Sequence, residues 1–212
     1  MNEPNPGVGS LLAGNTGVGP SYVAVGIPQG IIVDRGSGEI AGGVRRGGEL
    51  ISLDKVEYRI WALLLTPMTL TVATEVASSR GWGDLDQTIA RLEKLDLLVT
   101  VEPGKSMDAT VERLRPLPLG VGLGNGSGDP MTFEIQNAAL SLPKPVSLNI
   151  VAIMFWWEFD GTKSLREIAA KVTSQLPGLP VDDADAVASQ LAYGLMANRL
   201  LYLDCPAPAL DG

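Results

Sequence analysis

Few residues in this chain are of a type and spacing that could do chemistry together. There is no histidine. That removes the commonest general base, the arrangements in which histidine activates serine or cysteine, and every histidine-ligated metal site. The single cysteine, Cys205, has no partner for an intramolecular disulfide or a Cys-x-x-Cys cluster. It reads as a small residue near the C-terminus. Asp182, Asp183 and Asp185 have the acidity of a calcium loop without its glycine and terminal glutamate. Acids complementing a helix dipole account for them better. The glycine-rich run 120–128 lacks both the GxGxxG spacing and a GK[ST] ending, so it reads as a linker or hairpin loop rather than a phosphate cradle. No catalytic residue, metal or cofactor is assigned, and the chain is expected not to be an enzyme.

Charge narrows the partners. Sixteen basic against 24 acidic residues leave a net charge of −8, which disfavours nucleic acid and anionic membrane. The N-terminus lacks the basic and apolar regions of a signal peptide, and the most apolar run, 150–159, contains Glu158 and is too short to span a bilayer. The expected setting is soluble and cytoplasmic, with a peptide or protein partner and with homo-oligomerisation left open. Length and apolar content (212 residues, 45% hydrophobic) suffice for one large or two small domains.

The elements that would carry such a function read as a tail and two similar halves. Residues 1–20 are rich in Gly, Asn and Pro without apolar periodicity and are expected to be flexible. Short β-prone pieces follow at 22–25, 30–33, 39–44 and Glu49–Leu53, with 34–39 as a hairpin connection. Asp54 then caps a helix to about residue 65, a second helix fits Leu70–Ser79, and a third runs from Asp84 to Leu95. An extended piece at 97–101 and a return at 110–114 close the first half.

The pattern then recurs. Residues 51–61 align without gaps on 146–156, an offset of 95 that matches Ser52 with Ser147, Leu53 with Leu148 and Trp61 with Trp156, and pairs the cap Asp54 with Asn149. Leu97-Leu98 match Leu200-Leu201 at an offset of 103, the extra residues falling around the loop 176–182. In the second half, 131–136 and 138–142 read as strands, 149–159 as a buried helix, Ser164 with Glu167 as a capping box, and 182–198 as the third helix. The expected fold is α+β: two tandem winged-helix-like units, each with short antiparallel strands and three helices, at 21–116 and 117–206, followed by a tail at 207–212.

The run Phe155-Trp-Trp-Glu-Phe-Asp-Gly-Thr-Lys-Ser-Leu-Arg-Glu-Ile-Ala-Ala170 resembles the peptide-chaperone family of pyrroloquinoline quinone biosynthesis, one of the RiPP recognition elements. The likeness covers about 138–204, with Asp160, Gly161, Ser164, Glu167, Ile168, Leu200 and Leu201 the best-matched positions. The first half departs from it at Thr66-Pro67. The resemblance implies a winged-helix-like domain that binds a leader peptide for a modifying enzyme, the peptide adding to a sheet edge beside the third helix. Carried over, the candidate binding residues are Glu49, Leu50, Ile51 and Ser52 with Thr88, Arg91, Leu92 and Leu95 in the first half. In the second they are Ala139, Leu140 and Ser141 with Gln190 and Tyr193.

Two rival readings share the fold. A DNA-binding winged helix would place its third helix in the major groove, but Asp84, Asp86, Glu93 and Asp96 outnumber Arg91 and Lys94 in the first half, and Asp182, Asp183 and Asp185 lead the second. Arg45, Arg46, Lys105, Arg113 and Arg115 would leave only a wing-led contact, and solvated loop charge explains them better. A structural subunit of a protein assembly also fits an acidic tandem. Of Trp61, Trp156 and Trp157, at least two are expected in the core.

Overall fold

The run Ser21-Tyr-Val-Ala-Val25 is apolar without alternation because β1 (Ser21–Ala24) is buried on both faces. Tyr22 and Ala24 pack into one hydrophobic core, Val23 and Val25 into another. The computed structural model of the chain describes residues 20–33, 40–101, 112–125, 129–137, 145–176 and 181–206. Nearly all of the expected N-terminal tail, the C-terminal tail, the connection 34–39, Lys105, the start of the return 110–114 and the strand 138–142 lie outside them.

The fold is mixed α+β, with several small antiparallel sheets. After β1 come β2 (Ile27–Val33), β3 (Ile40–Arg46), β4 (Glu49–Leu53), α1 (Lys55–Leu63), β5 (Met68–Thr69), α2 (Leu70–Ser79), α3 (Leu85–Lys94) and β6 (Leu98–Val101). The meander is ordered β2-β3-β4, and β1 pairs antiparallel with both β5 and β6. The chain continues through β7 (Arg115–Pro118), β8 (Gly120–Asn125), β9 (Thr132–Asn137), β10 (Val146–Asn149), α4 (Ile150–Glu158), α5 (Leu165–Gln175), α6 (Val181–Ala197) and β11 (Leu201–Asp204). Here the meander is β10-β9-β8, and β11 pairs antiparallel with β7.

The helices form where the sequence caps them. The Asp54 carboxylate accepts from the Val56 and Glu57 backbone N–H groups, and Glu57 Oε2 accepts from the Asp54 N–H at 2.9 Å. Such a reciprocal cap is worth about 1 kcal/mol. Ser164 and Glu167 repeat the arrangement at α5, and Asn149 Oδ1 accepts from the Ala152 N–H at α4. Apolar on nearly every side, α4 buries Ala152, Ile153, Phe155 and Trp156.

Two departures from the sequence reading concern the second half. The run 120–128, expected as a linker or hairpin loop, forms strand β8 over Gly120–Asn125. Its register on β9 shifts between Gly122 and Gly124, a bulge with Gly124 at φ +92°. β2 carries the matching bulge between Pro28 and Gly30, with Gly30 at φ +88°. Glycine supplies that left-handed conformation without steric cost. Secondly, β7 starts at Arg115, so the strand straddles the unit boundary expected between 116 and 117. Val146–Asn149 also forms a strand before its helix, whereas the sequence reading places the counterpart of β4 at 138–142.

Val25 and Leu203 form a parallel bridge between the halves, reinforced by the Gly26 N–H donating to the Leu203 carbonyl at 2.7 Å. Ser21 Oγ lies 3.1 Å from Tyr193 Oη, and the Gly47 N–H donates to Asp204 Oδ1 at 2.8 Å. Among the described residues, no helix is long and apolar enough to cross a membrane.

Candidate peptide-binding edge

Strand β4 is positioned by a two-residue turn. Arg46 and Glu49 flank Gly47-Gly48 and are opposite one another, followed by Arg45 with Leu50, Val44 with Ile51 and Gly43 with Ser52. The closing pair of such a turn exchanges both backbone bonds, and antiparallel pairs alternate from there. Ile51 therefore bonds β3, while the N–H and C=O of Leu50 and Ser52 point away from it. No strand lies beyond β4 among the described residues. Glu49, Leu50 and Ser52 are exposed, Leu50 at 58%, and Ile51 is half-buried against the first core.

One guanidinium ties the start of this edge to the end of α3. Arg46 Nη1 donates to the Leu95 carbonyl at 2.6 Å and to Asp96 Oδ2 at 3.2 Å, and its Nη2 lies 3.4 Å from Glu49. Arg91 Nε contacts Glu57 Oε1 at 2.5 Å, joining α3 to the first turn of α1. Glu49, Leu95 and Arg91 are thus held on one framework with the strand.

The other candidate positions separate. Leu92 is fully buried and Tyr193 nearly so, which corrects their expected place on a docking surface. The apolar stripe of each third helix meets a core, and the Tyr193 hydroxyl is taken by Ser21. Thr88 is half-buried with its hydroxyl donating to the Asp84 carbonyl, and Leu95 and Gln190 are half-buried. Ala139, Leu140 and Ser141 lie outside the described residues. In the second half β10 stands where β4 stands in the first, and at the offset of 95 Ser147 takes the place of Ser52 and Pro145 that of Leu50. Proline has no N–H to offer an added strand.

Sequence reading did not see two clefts at the junction of the halves. One, of about 480 Å³, is lined by Arg45, Gly47, Arg115, Asp160 and Asp204; the other, of about 340 Å³, by Ala62, Leu119, Asn137, Arg199 and Tyr202. Each joins residues far apart in the chain, so no local signal could reveal them. In the larger cleft, hydrogen bonds from Lys163 and then Thr162 hold the Asp160 carboxyl well below the usual carboxylate range. Burial pushes the Cys205 thiol up, away from the reactive thiolate. Among the described residues no group of three or more potential ligands could hold a metal ion. Asp185 pairs with Arg166 at 3.3 Å. Arg46, Arg113 and Arg115 each lie within salt-bridge distance of a carboxylate.

Trp61 and Trp156 are buried, while Trp157 is 63% exposed with its ring edge-on to Phe133. That agrees with the expectation of at least two core tryptophans.

No known family matches the chain, and no curated protein does. Among solved structures it is similar to PKMT2 from Rickettsia typhi at 16% identity and a TM-score of 0.36, over 87% of this chain and 43% of that one. The chain spans less than half of that structure's length, and a likeness of this degree carries no argument about fold or function.

Proposed function

We propose that the chain is a tandem of two winged-helix-like units forming a non-catalytic binding module. It captures an extended peptide segment of a partner as a fourth strand on β4 and presents a precursor (leader) peptide to a modifying enzyme. The unit organisation is supported by backbone features that recur in the same order in both halves. The β2 and β8 bulges lie 94 residues apart, and the non-glycine left-handed residues Asp96 and Arg199, each just after a third helix, lie 103 apart (199 − 96). The Leu97 N–H donates to the Leu92 carbonyl as the Leu200 N–H does to Leu195. A strand, a three-stranded meander, three helices and a closing strand that returns to the first recur in each half, with β5 an addition in the first.

The observation that carries the binding reading is the free edge of β4, where Leu50 and Ser52 direct their backbone groups outward beside the α3 framework. The matching edge in the second half is blunted by Pro145, so capture belongs to the first half. Pairing of Arg46, Arg113 and Arg115 with nearby carboxylates argues against a phosphate backbone as the ligand.

The test is selection of phage-displayed linear peptides on the immobilised protein, followed by titration of the selected peptides. Leu50→Pro removes one outward N–H without touching the β3 ladder and should weaken binding about tenfold or more, on the order of one backbone hydrogen bond plus misfit of the added strand. Ser147→Pro should leave binding unchanged. Peptides that bind Leu50→Pro as tightly as the parent, or steeply salt-dependent binding to duplex DNA in their place, would overturn the reading.

A further inference from the structure

The smaller cleft at the seam, of about 340 Å³, contains a corner that the two halves fill with opposite charges. Val44 lies opposite Ile51 and Ile135 opposite Val146, and Ile51 aligns with Val146 at the offset of 95. Two residues further along each central strand, Arg46 of β3 therefore corresponds to Asn137 of β9. Each reaches the turn after its third helix, where the left-handed residues Asp96 and Arg199 correspond in turn. In the first half the Asp96 carboxylate lies 3.2 Å from Arg46 and 3.4 Å from Arg113. In the second, the Asn137 amide donates to the Arg199 carbonyl, and the turn carries a cation instead. Among the described residues, no carboxylate lies within ion-pair distance of the Arg199 guanidinium. This comparison rests on the tandem reading of the two halves.

Arg199 lines a cleft whose walls are mostly aliphatic. Ala62 and Leu65 come from the end of α1 and the turn after it, Leu119 and Leu201 from the second half. Tyr202 also lines it. Burial raises the Tyr202 phenol, the Tyr58 phenol adds to the rise, and the Arg199 guanidinium opposes it, so that charge acts on the Tyr202 hydroxyl. The volume falls at the lower end of the range of about 300–1,000 Å³ for small-molecule sites, which are largely apolar with a few polar groups to fix orientation. Aliphatic walls with one unpaired cation select an apolar ligand with one anionic end. The planar guanidinium fork matches a carboxylate.

We propose that this cleft binds a small apolar monocarboxylate, its carboxylate on Arg199 and its hydrocarbon body against Ala62, Leu65, Leu119 and Leu201. The ligand supplies the second-half corner with the carboxylate that Asp96 supplies in the first. Because the walls come from both halves, the bound molecule also ties one half to the other. The site shares no residue with the peptide edge at β4.

NMR titration of the isotope-labelled full chain with sodium octanoate tests the assignment. The expected result is a saturable shift of the Arg199 Nε–H signal, with a Kd of about 1 mM or tighter for a ligand of about ten non-hydrogen atoms. Octan-1-ol, which lacks the charge, should bind about tenfold more weakly or worse. Arg199→Gln should lose a similar factor and keep its fold, since the bonds to Asn137 and Met196 are made by the backbone. Arg199→Lys should recover part of the affinity. Ala62→Phe should block the cleft with the charge still in place, and Arg199→Gln decides the matter if that variant does not fold. No saturation by about 10 mM octanoate, octan-1-ol binding as tightly as octanoate, or a folded Arg199→Gln that binds octanoate as the parent does would overturn the proposal. Leu50→Pro should bind octanoate like the parent, and Arg199→Gln should capture selected peptides like the parent, so failure at either site is read separately.

Discussion

Replacing Trp61 by phenylalanine tests how the first core is joined to the seam between the halves. Trp61 is fully buried, and its Nε1 donates to the Val25 carbonyl at 3.0 Å. Val25 itself is buried in the second core and bridges to Leu203. Phenylalanine keeps most of the ring but has no donor, and removing the partner of a buried acceptor costs about 1–3 kcal/mol. The lost ring portion leaves a cavity of roughly 40 Å³, which at about 24 cal/mol per Å³ adds about 1 kcal/mol. The sum is about 2–4 kcal/mol, or a fall in Tm of about 4–16 °C for a chain of this size. Urea denaturation followed by fluorescence reads it, since Trp82, Trp156 and Trp157 remain. Trp157→Phe is the control: the residue is 63% exposed, and its loss should cost less than about 0.5 kcal/mol. Equal midpoints for Trp61→Phe and the parent, or equal losses for the two variants, would refute the assignment of Trp61 as a hydrogen-bonded core residue.

Two other outcomes rest on side-chain contacts elsewhere in the fold. Tyr193→Phe removes the hydroxyl that meets Ser21 Oγ and should destabilise the fold by about 1 kcal/mol, whereas Tyr22→Phe, which loses a hydroxyl outside that contact, should change the urea midpoint less. Acid should unfold the protein cooperatively. Hydrogen bonds from Lys163 and Thr162 lower the Asp160 carboxyl, and those from the Ser164 backbone and hydroxyl lower Glu167. The unfolded chain therefore binds protons at ordinary carboxylate pH while the folded chain does not. Their stabilisation is full above about pH 5 and drains away as pH falls through the lowered folded values. Urea midpoints measured from pH 7 to pH 2 should drop in that window, and Asp160→Asn should flatten the drop; a parent profile level across it would contradict the assignment.

The local signals were legible where the physics is local. Asp54, Asn149 and Ser164 open their helices because a side chain within three residues of a free N–H needs no tertiary help to reach it. The recurrence of Ser-Leu-Asp/Asn before an apolar helix also stood in the one-dimensional record, and β4 was delimited at Glu49–Leu53 by its own pattern. Amphipathicity could give the stripe containing Leu92 but could not say whether that stripe meets a core or a ligand. The glycines of 120–125 looked like a linker because alternation of glycine with Val121 and Leu123 carries no packing signal until β9 stands beside them.

The chain's sequence by itself determined where helices start and stop, the twofold recurrence of its elements, the acidic balance and the want of a histidine-based site, since each depends on neighbours along the chain or on composition alone. Only the tertiary structure decided that β1 is shared between two cores, that Tyr193 is spent on Ser21, that two clefts open at the seam, and which strands end each sheet among the described residues. The Ser21–Tyr193 contact and the two clefts depend on residues brought together from more than a hundred positions apart, where no spacing rule along the chain can reach.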